Sequence, residues 1–331
     1  MWFKEISKDS DVVISTRIRF ARSVEGYKFP NMMQTSEKEE LIKKIKENID
    51  KKEYDFFKTE SIDKTTLGSL VEKHLISKEF TKLKNTAIIL NKDSSLVAMV
   101  NEEDHLRMQA FKSGFEIDEC YRLLKNFNDN LEKKIEFIIN DKYGYITSCP
   151  TNVGAAMRVS VMLHLPALAR LGLLAKIIDE ATRMGLSVRG LYGENTSGYG
   201  NIYQISNSQT LGISNENIIR RTKAIVKTII FQERKARDVL KDNGVVLYDE
   251  IYRALGILQN SRIISEDEAF KLLSKVRLGV SMEIIENIAL EKIQSLMIDI
   301  QSNTLKTILK KDYSREELDI KRAEYIREEL K

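Results

Sequence analysis

The chain has 331 residues, of which 42% are hydrophobic and 31% charged, and a formal net charge of +4 at neutral pH. That length buries a full core and allows two domains, while so small a positive excess does not by itself point to nucleic acid. Two cysteines far apart, Cys120 and Cys149, and three isolated histidines give no metal-ligand spacing. Met1-Trp2-Phe3-Lys4 lacks the apolar core of a signal peptide, and no apolar run approaches membrane-spanning length. A soluble cytoplasmic protein with reduced thiols is the expectation.

In chain order, Val12, Ile14, Ile18 and Phe20 alternate with Val13, Ser15, Arg17 and Arg19, a half-buried strand with two arginines on one face, framed by Asp11 and Arg22. Ser36 to about Asp50 has a helix start and apolar residues at helical spacing, and a second helix is expected over Leu67 to His74. Residues 85–100 read as a hairpin turning at Asn91-Lys92-Asp93-Ser94-Ser95. It runs into Asn101-Glu102-Glu103-Asp104-His105-Leu106-Arg107, where three adjacent carboxylates are costly to bury. If the strand continues, Asn101, Glu103, His105, Arg107 and Gln109 share a face; the other reading is a solvated acidic turn between two strands.

Ile117 to Glu136 is an amphipathic helix with Cys120 near its apolar stripe. A strand ends in the turn Cys149-Pro150-Thr151-Asn152, and Met157 to Leu165 alternates again, with Arg158, Ser160, Met162 and His164 on one face. Pro166 stops it, and one helix is expected from Ala167 to Arg183. Four glycines between Val188 and Asn201 mark a sharply bending loop, without the Gly-Lys-Ser/Thr of a P-loop, that carries Arg189. From Ser214 the pattern is helical: one long helix to Lys241, then Asp249–Leu258, Ser265–Val276, Ser281 to about Ser302, and Ser314–Lys331 behind a Ser314/Glu317 capping box. If the arginines converge, they form a nest for a polyphosphate, because the guanidinium fork matches phosphate oxygens. Phosphoryl transfer needs little more than such neutralisation, positioning and a carboxylate.

Ser15-Thr16-Arg17-Ile18-Arg19, the Asn101–Arg107 stretch, Cys149-Pro150-Thr151-Asn152 with Arg158, and Arg189-Gly190 with Gly193-Glu194 resemble, in this order, the phosphagen (guanidino) kinases. Within that family the chain is most similar to the bacterial protein-arginine kinases. The first motif lies too early for a preceding helical domain, Leu191-Tyr192 stands where creatine and arginine kinases have Thr-Arg, and a helical extension follows.

The resemblance implies an α+β fold, an antiparallel sheet flanked by helices, with a catalytic domain over 1–235 and a helical domain over 236–331. It implies ATP with Mg2+ and phosphorylation of exposed arginines in proteins, marking them for a Clp-type protease, with an activator protein and a homodimer as further expectations. The alternatives are a kinase for a small guanidino compound and a weakly active phosphoarginine-binding adaptor. By the same resemblance Ser15, Thr16, Arg17, Ile18, Arg19, His74, Arg107, Arg158, Val159, Ser160, Val161, Met162, Arg189, Gly190, Leu191, Tyr192, Gly193 and Glu194 form the ATP-contacting segments. Glu103 is the catalytic carboxylate, acting with Arg107, Arg158 and Arg189, and Cys149 and Glu194 lie by the substrate guanidine.

Two departures stand out. Ser197 occupies the place of a second substrate-binding glutamate. Leu318-Asp319-Ile320-Lys321-Arg322-Ala323 has leucine where related kinases begin a phosphoarginine pocket with arginine, leaving Asp319 and Arg322 as its candidate grips.

Overall fold

The computed structural model describes residues 1–190, 199–242 and 244–331. Its centre is the strand β1 (Val13–Arg22), whose alternation places Ile18 and Phe20 in the core and leaves Arg17 and Arg19 on the opposite face. Around it the chain lays down α1 (Thr35–Asn48), β2 (Tyr54–Lys58), α2 (Lys64–Glu72), β3 (Ala87–Asn91), β4 (Leu96–Val100) and β5 (Leu106–Ser113). There follow α3 (Ile117–Glu132), the short pair β6 (Ile139–Asn140) and β7 (Gly144–Tyr145), and β8 (Met157–His164). Next come α4 (Pro166–Arg170), α5 (Leu174–Arg183), β9 (Leu186–Gly190) and β10 (Ile202–Asn207). The rest is helical: α6 (Asn215–Asp242), α7 (Gly244–Asn260), α8 (Glu266–Ser281), α9 (Leu290–Asp299), α10 (Ser302–Leu309) and α11 (Arg315–Glu329).

Eight strands form one sheet in the order β2-β3-β4-β5-β1-β8-β10-β9, and every neighbouring pair is antiparallel. On the Thr16/Ile18/Phe20 face lies α3, with Tyr121 edge-on to Phe20 and the Cys120 thiol donating to the Thr16 carbonyl. The other face is covered at one end by the N-terminal turn Trp2–Lys4 and by α8 and α9, and it carries the arginines. A hydrophobic core runs unbroken from Trp2 to Leu330 through both the strands and the helical tail. No helix among the described residues is long and apolar enough to cross a membrane.

Four expectations change. The strand before the acidic stretch ends at Val100, and Asn101 at φ +60° opens a five-residue turn that pairs Val100 with Leu106. It is a turn, as the second reading held, yet it is not solvated: Asn101, Glu102, Asp104 and His105 are buried and only Glu103 is exposed. The helix expected over 167–183 breaks into α4 and α5 at Gly172, whose φ of +70° closes the first helix. The helix expected over 281–302 does not form as one piece; α8 ends at Ser281, Glu283 takes φ +59°, and α9 starts only at Leu290. Arg189 sits on the edge strand β9 rather than in a loop.

Candidate active site

Sheet register alone gathers the cations. Arg19 lies directly opposite Arg158 on one side and Gln109 on the other, and Arg17 lies between Ser160 and Phe111. Arg107 is two residues along from Gln109 on that same face, and Gln204 of β10 links Met162 to Arg189. Five arginines, from β1, β5, β8 and β9, therefore share one side of one sheet. Like charges on facing strands repel, and here the repulsion is legible. Burial, then the charges of Arg107 and Arg158, pulls Arg17 down to about 9. Burial pushes Arg19 well below its ordinary value, followed by Arg17, Arg107 and Arg158. Arg158 is lowered by burial, then by Arg189 and Arg107.

The Arg17 guanidinium donates to Gln204 Oε1 at 2.9 Å, and Arg107 to Glu102 Oε1 at 2.7 Å. The buried Nε of Arg19 and the Ser160 hydroxyl have no hydrogen-bond partner among the described residues. Crowded cations with orphaned donors fit a polyanion. No group of three or more His, Cys, Asp or Glu among the described residues is placed to hold a metal.

The acidic turn is locked at every position but one. Asn101 Nδ2 donates to the carbonyls of Asn85 and Lys38, and His105 bridges the Val24 N–H and the Lys28 carbonyl. Glu102 accepts from Arg107, from the Ser77 hydroxyl at 2.7 Å and from the Glu103 N–H at 2.8 Å. Burial raises the Glu102 carboxyl, but Arg107 and these donors outweigh it and hold the group below its ordinary value. Glu103, with its backbone pinned and its side chain exposed, faces a cavity of about 220 Å³ shared with Arg19, Arg107, Cys149 and Arg158.

Residues 33–236 match the model of the ATP:guanido phosphotransferase C-terminal catalytic domain, and residues 244–331 match that of the protein-arginine kinase McsB C-terminal domain. The protein-arginine kinase of Clostridium acetobutylicum is 41% identical over 340 residues, spanning 100% of this chain and 99% of the relative. That of Halalkalibacterium halodurans is 38% identical over 337 residues, spanning 100% and 95%. This chain belongs to the protein-arginine kinases of the ATP:guanido phosphotransferase family. Among solved structures, the fold of this protein-arginine kinase resembles a duplicated taurocyamine kinase from Schistosoma mansoni (TM-score 0.62, 25% identity), covering 73% of this chain and 37% of that one. It also resembles a lombricine kinase (TM-score 0.60, 21% identity, 70% of each chain), which bears on the fold alone.

Of the residues that the resemblance makes ATP-contacting, Ser15, Arg17, Arg19, Arg158, Ser160 and Met162 share the cationic face. Thr16, Ile18, Val159 and Val161 point their side chains into the core on the far side, Thr16 donating to the Gly114 carbonyl, so only their backbone is available to a ligand. His74 follows α2 at φ +60° beside Arg17; burial, then the Arg17 charge, draws it down to about 4, and its ring is neutral. Gly190 ends β9. Leu191, Tyr192, Gly193, Glu194 and Ser197 lie outside the described residues.

Asp319 and Arg322 are brought together, but as partners of each other. Arg322 is 1% exposed and donates to the Ile300 and Ile264 carbonyls as well as to Asp319, stapling α8, α9 and α11. Nε and Nη1 of its guanidinium are thus taken by the fold, while among the described residues Nη2 has only the Ser302 hydroxyl within hydrogen-bond reach, at 3.4 Å.

Two residues beside the cavity give direct tests. Cys149 is half-buried, with its sulfur 3.0 Å from the Thr151 hydroxyl, whereas Cys120 is fully buried and its thiol is pushed up by that burial. Iodoacetamide is expected to label Cys149 and spare Cys120, with MgATP plus an arginine substrate slowing the reaction. Peptide mass spectrometry checks this, and labelling of Cys120 first would contradict the placement.

Asp104 accepts from the Ser148 N–H at 2.6 Å and so ties the Glu103 turn to the Cys149 loop. Burial, then Glu103 and Glu102, raises it to about 6, against the Ser148 bond that lowers it. The folded chain thus holds this proton more tightly than the unfolded chain, and stability is lost as pH rises from about 4 through 6. Asp104→Asn removes the ionisation and keeps an oxygen for Ser148. Urea denaturation is expected to show the variant gaining on the parent between pH 4 and 7; a pH-independent difference over that window rejects the assignment.

Proposed function

We propose that this kinase transfers the γ-phosphoryl group of ATP to arginine side chains of proteins. The observation that carries the reading is the single exposed carboxylate, Glu103, held by an otherwise locked turn over a sheet face bearing five arginines. A guanidinium has a pKa above 12 and is a poor nucleophile until it gives up a proton. In the step proposed, a guanidine nitrogen attacks the γ-phosphorus, the N–P bond forms, and the bond to the β,γ-bridging oxygen breaks with its electron pair leaving on ADP. The proton released from nitrogen passes to Glu103. Arg19, Arg107 and Arg158 neutralise the charge spreading over the transferred group, with Arg17 and Arg189 on the rest of the polyphosphate. Magnesium would enter on the phosphates of the nucleotide, keeping several of its waters.

The relatives' name supports a protein substrate over a free guanidino compound. We further propose a catalytic unit over 1–235, a helical unit over 236–331, a cytoplasmic location, homodimer assembly, an activator protein, and delivery of the marked substrates to a Clp-type protease. The deciding experiment incubates the protein with MgATP and either a protein substrate or free arginine, keeping samples away from acid, and reads phosphoarginine by mass spectrometry. Phosphate on the free amino acid alone would favour the small-molecule reading; no turnover with retained phosphoarginine binding would favour an adaptor.

A further inference from the structure

The cationic face changes character along its length. At the Glu103 end it is charged; past Arg17 and Ser160 it meets Trp2, His74 and Met162 and becomes apolar. From Arg19 to Ser15 is four strand residues, roughly 13–14 Å, on the order of an extended nucleoside triphosphate. If the arginines hold the phosphates, the base falls at the apolar end. There the opposite wall belongs to the helical tail: Phe270 of α8, and Gln294 and Met297 of α9, line a gap with Trp2, His74 and Met162.

Three observations tie this wall to the nucleotide end. Gln294 is 2% exposed and donates through Nε2 to the Ser113 hydroxyl, yet its Oε1, also buried, has no hydrogen-bond partner among the described residues. A buried amide oxygen with no donor is costly, and a base presenting an amino group would satisfy it. The tail also fixes the segments that form the near wall. Glu72, two residues before His74, accepts from the N–H groups of Asn303 and Thr304 and from both their side chains, at 2.6–2.9 Å. Across the cleft, Phe270 stacks on Tyr199 with centroids 4.6 Å apart, and Ser274 donates to the Gly200 carbonyl at 2.6 Å. Gly200 sits at φ +61°, and a Cβ there would lie 2.7 Å from the Phe270 ring, so the helix and this turn are closely fitted.

We propose that α8 and α9 of the helical tail supply the base-recognition wall of the nucleotide site, with Gln294 accepting from the amino group of adenine. The gap is about 20 Å³, room for one water, so the base wedges the walls apart. Met162 and Met297, unbranched and adaptable, are the side chains suited to yield. Nucleotide binding and the packing of the tail on the sheet are then one event. The inference rests on the reading of the arginines as a phosphate site, and its test separates the two.

Trp2, the chain's single tryptophan, stands in the wall and reports on it. The full-length protein is titrated with adenosine, MgADP and inorganic tripolyphosphate while Trp2 emission is followed and binding is measured by calorimetry. Adenosine, which carries no phosphate, is expected to shift the emission. Gln294→Ala is expected to raise KM for ATP roughly five- to tenfold, about the worth of one hydrogen bond, with kcat within about twofold and tripolyphosphate affinity unchanged. Met297→Leu, which keeps volume but not flexibility, should move KM in the same direction. The proposal falls if MgADP binds and arginine is phosphorylated while Trp2 emission and the KM of both variants stay put. Failure of MgADP and tripolyphosphate alike to bind would overturn the phosphate reading together with it.

Discussion

Glu103→Gln is expected to lower kcat about 10²- to 10⁴-fold, leaving KM for ATP within about twofold and the melting temperature unchanged. The amide matches the carboxylate in shape and still accepts a hydrogen bond, so substrate can dock, but it cannot take the proton that a guanidinium must release. The neighbouring acid cannot substitute. Glu102 is 8% exposed and already engaged by Arg107, Ser77 and the Glu103 N–H. Its removal should instead disorder Arg107 and raise KM for ATP along with the loss in kcat. A Glu103→Gln enzyme retaining more than a tenth of the parental kcat would remove Glu103 from the chemistry. Fold retention is checked in the same sample by circular dichroism.

Arg158→Gln is expected to act in opposite directions on activity and stability. Arg158 faces Arg19 across the strand pair and is pushed down by burial, Arg189 and Arg107, so in the free protein it sits among charges that repel it. Replacing it with a neutral side chain relieves a like-charge pair worth on the order of 1 kcal/mol or less, and the melting temperature should rise. On the mechanism proposed, the same change removes a cation from the transferring phosphoryl group, where a single arginine can be worth about 10³ or more in rate. Thermal melts and steady-state kinetics on one preparation test both halves. A variant that is less stable and still active would mean that Arg158 serves the fold and not the reaction. Strain concentrated at a site and tolerated by its surroundings is what function requires here.

Much of this was readable from residue order. Period-two alternation in β1 and β8 placed Arg17, Arg19 and Arg158 on polar faces, and strand pairing then put those faces side by side. What alternation could not show was which acid faces the cavity, because a five-residue turn has no period. The resemblance pointed to Glu103, and the partners of Glu102, Asp104 and His105, each distant in sequence, give the physical reason that it is the exposed acid of the turn. The partners of Arg322 were hidden for the same reason, since the carbonyls of Ile264 and Ile300 that receive its donors leave no local trace. Helix ends failed where a residue at positive φ, Gly172 or Glu283, interrupts an apolar pattern that would otherwise run on.

One buried guanidinium reaches further. Arg277 of α8 donates to the carbonyls of Ser10 and Asp11, just ahead of β1, and touches the ring of His164 at the end of β8. The entry to the central strand is therefore fastened by a side chain 266 positions further along the chain. Since β5 and β8 already flank this strand and Arg234 and Arg237 of α6 already hold Asp9 and Asp11, α8 adds a further clasp at its mouth, and a change that loosens the tail should be felt where the arginine-bearing strand begins.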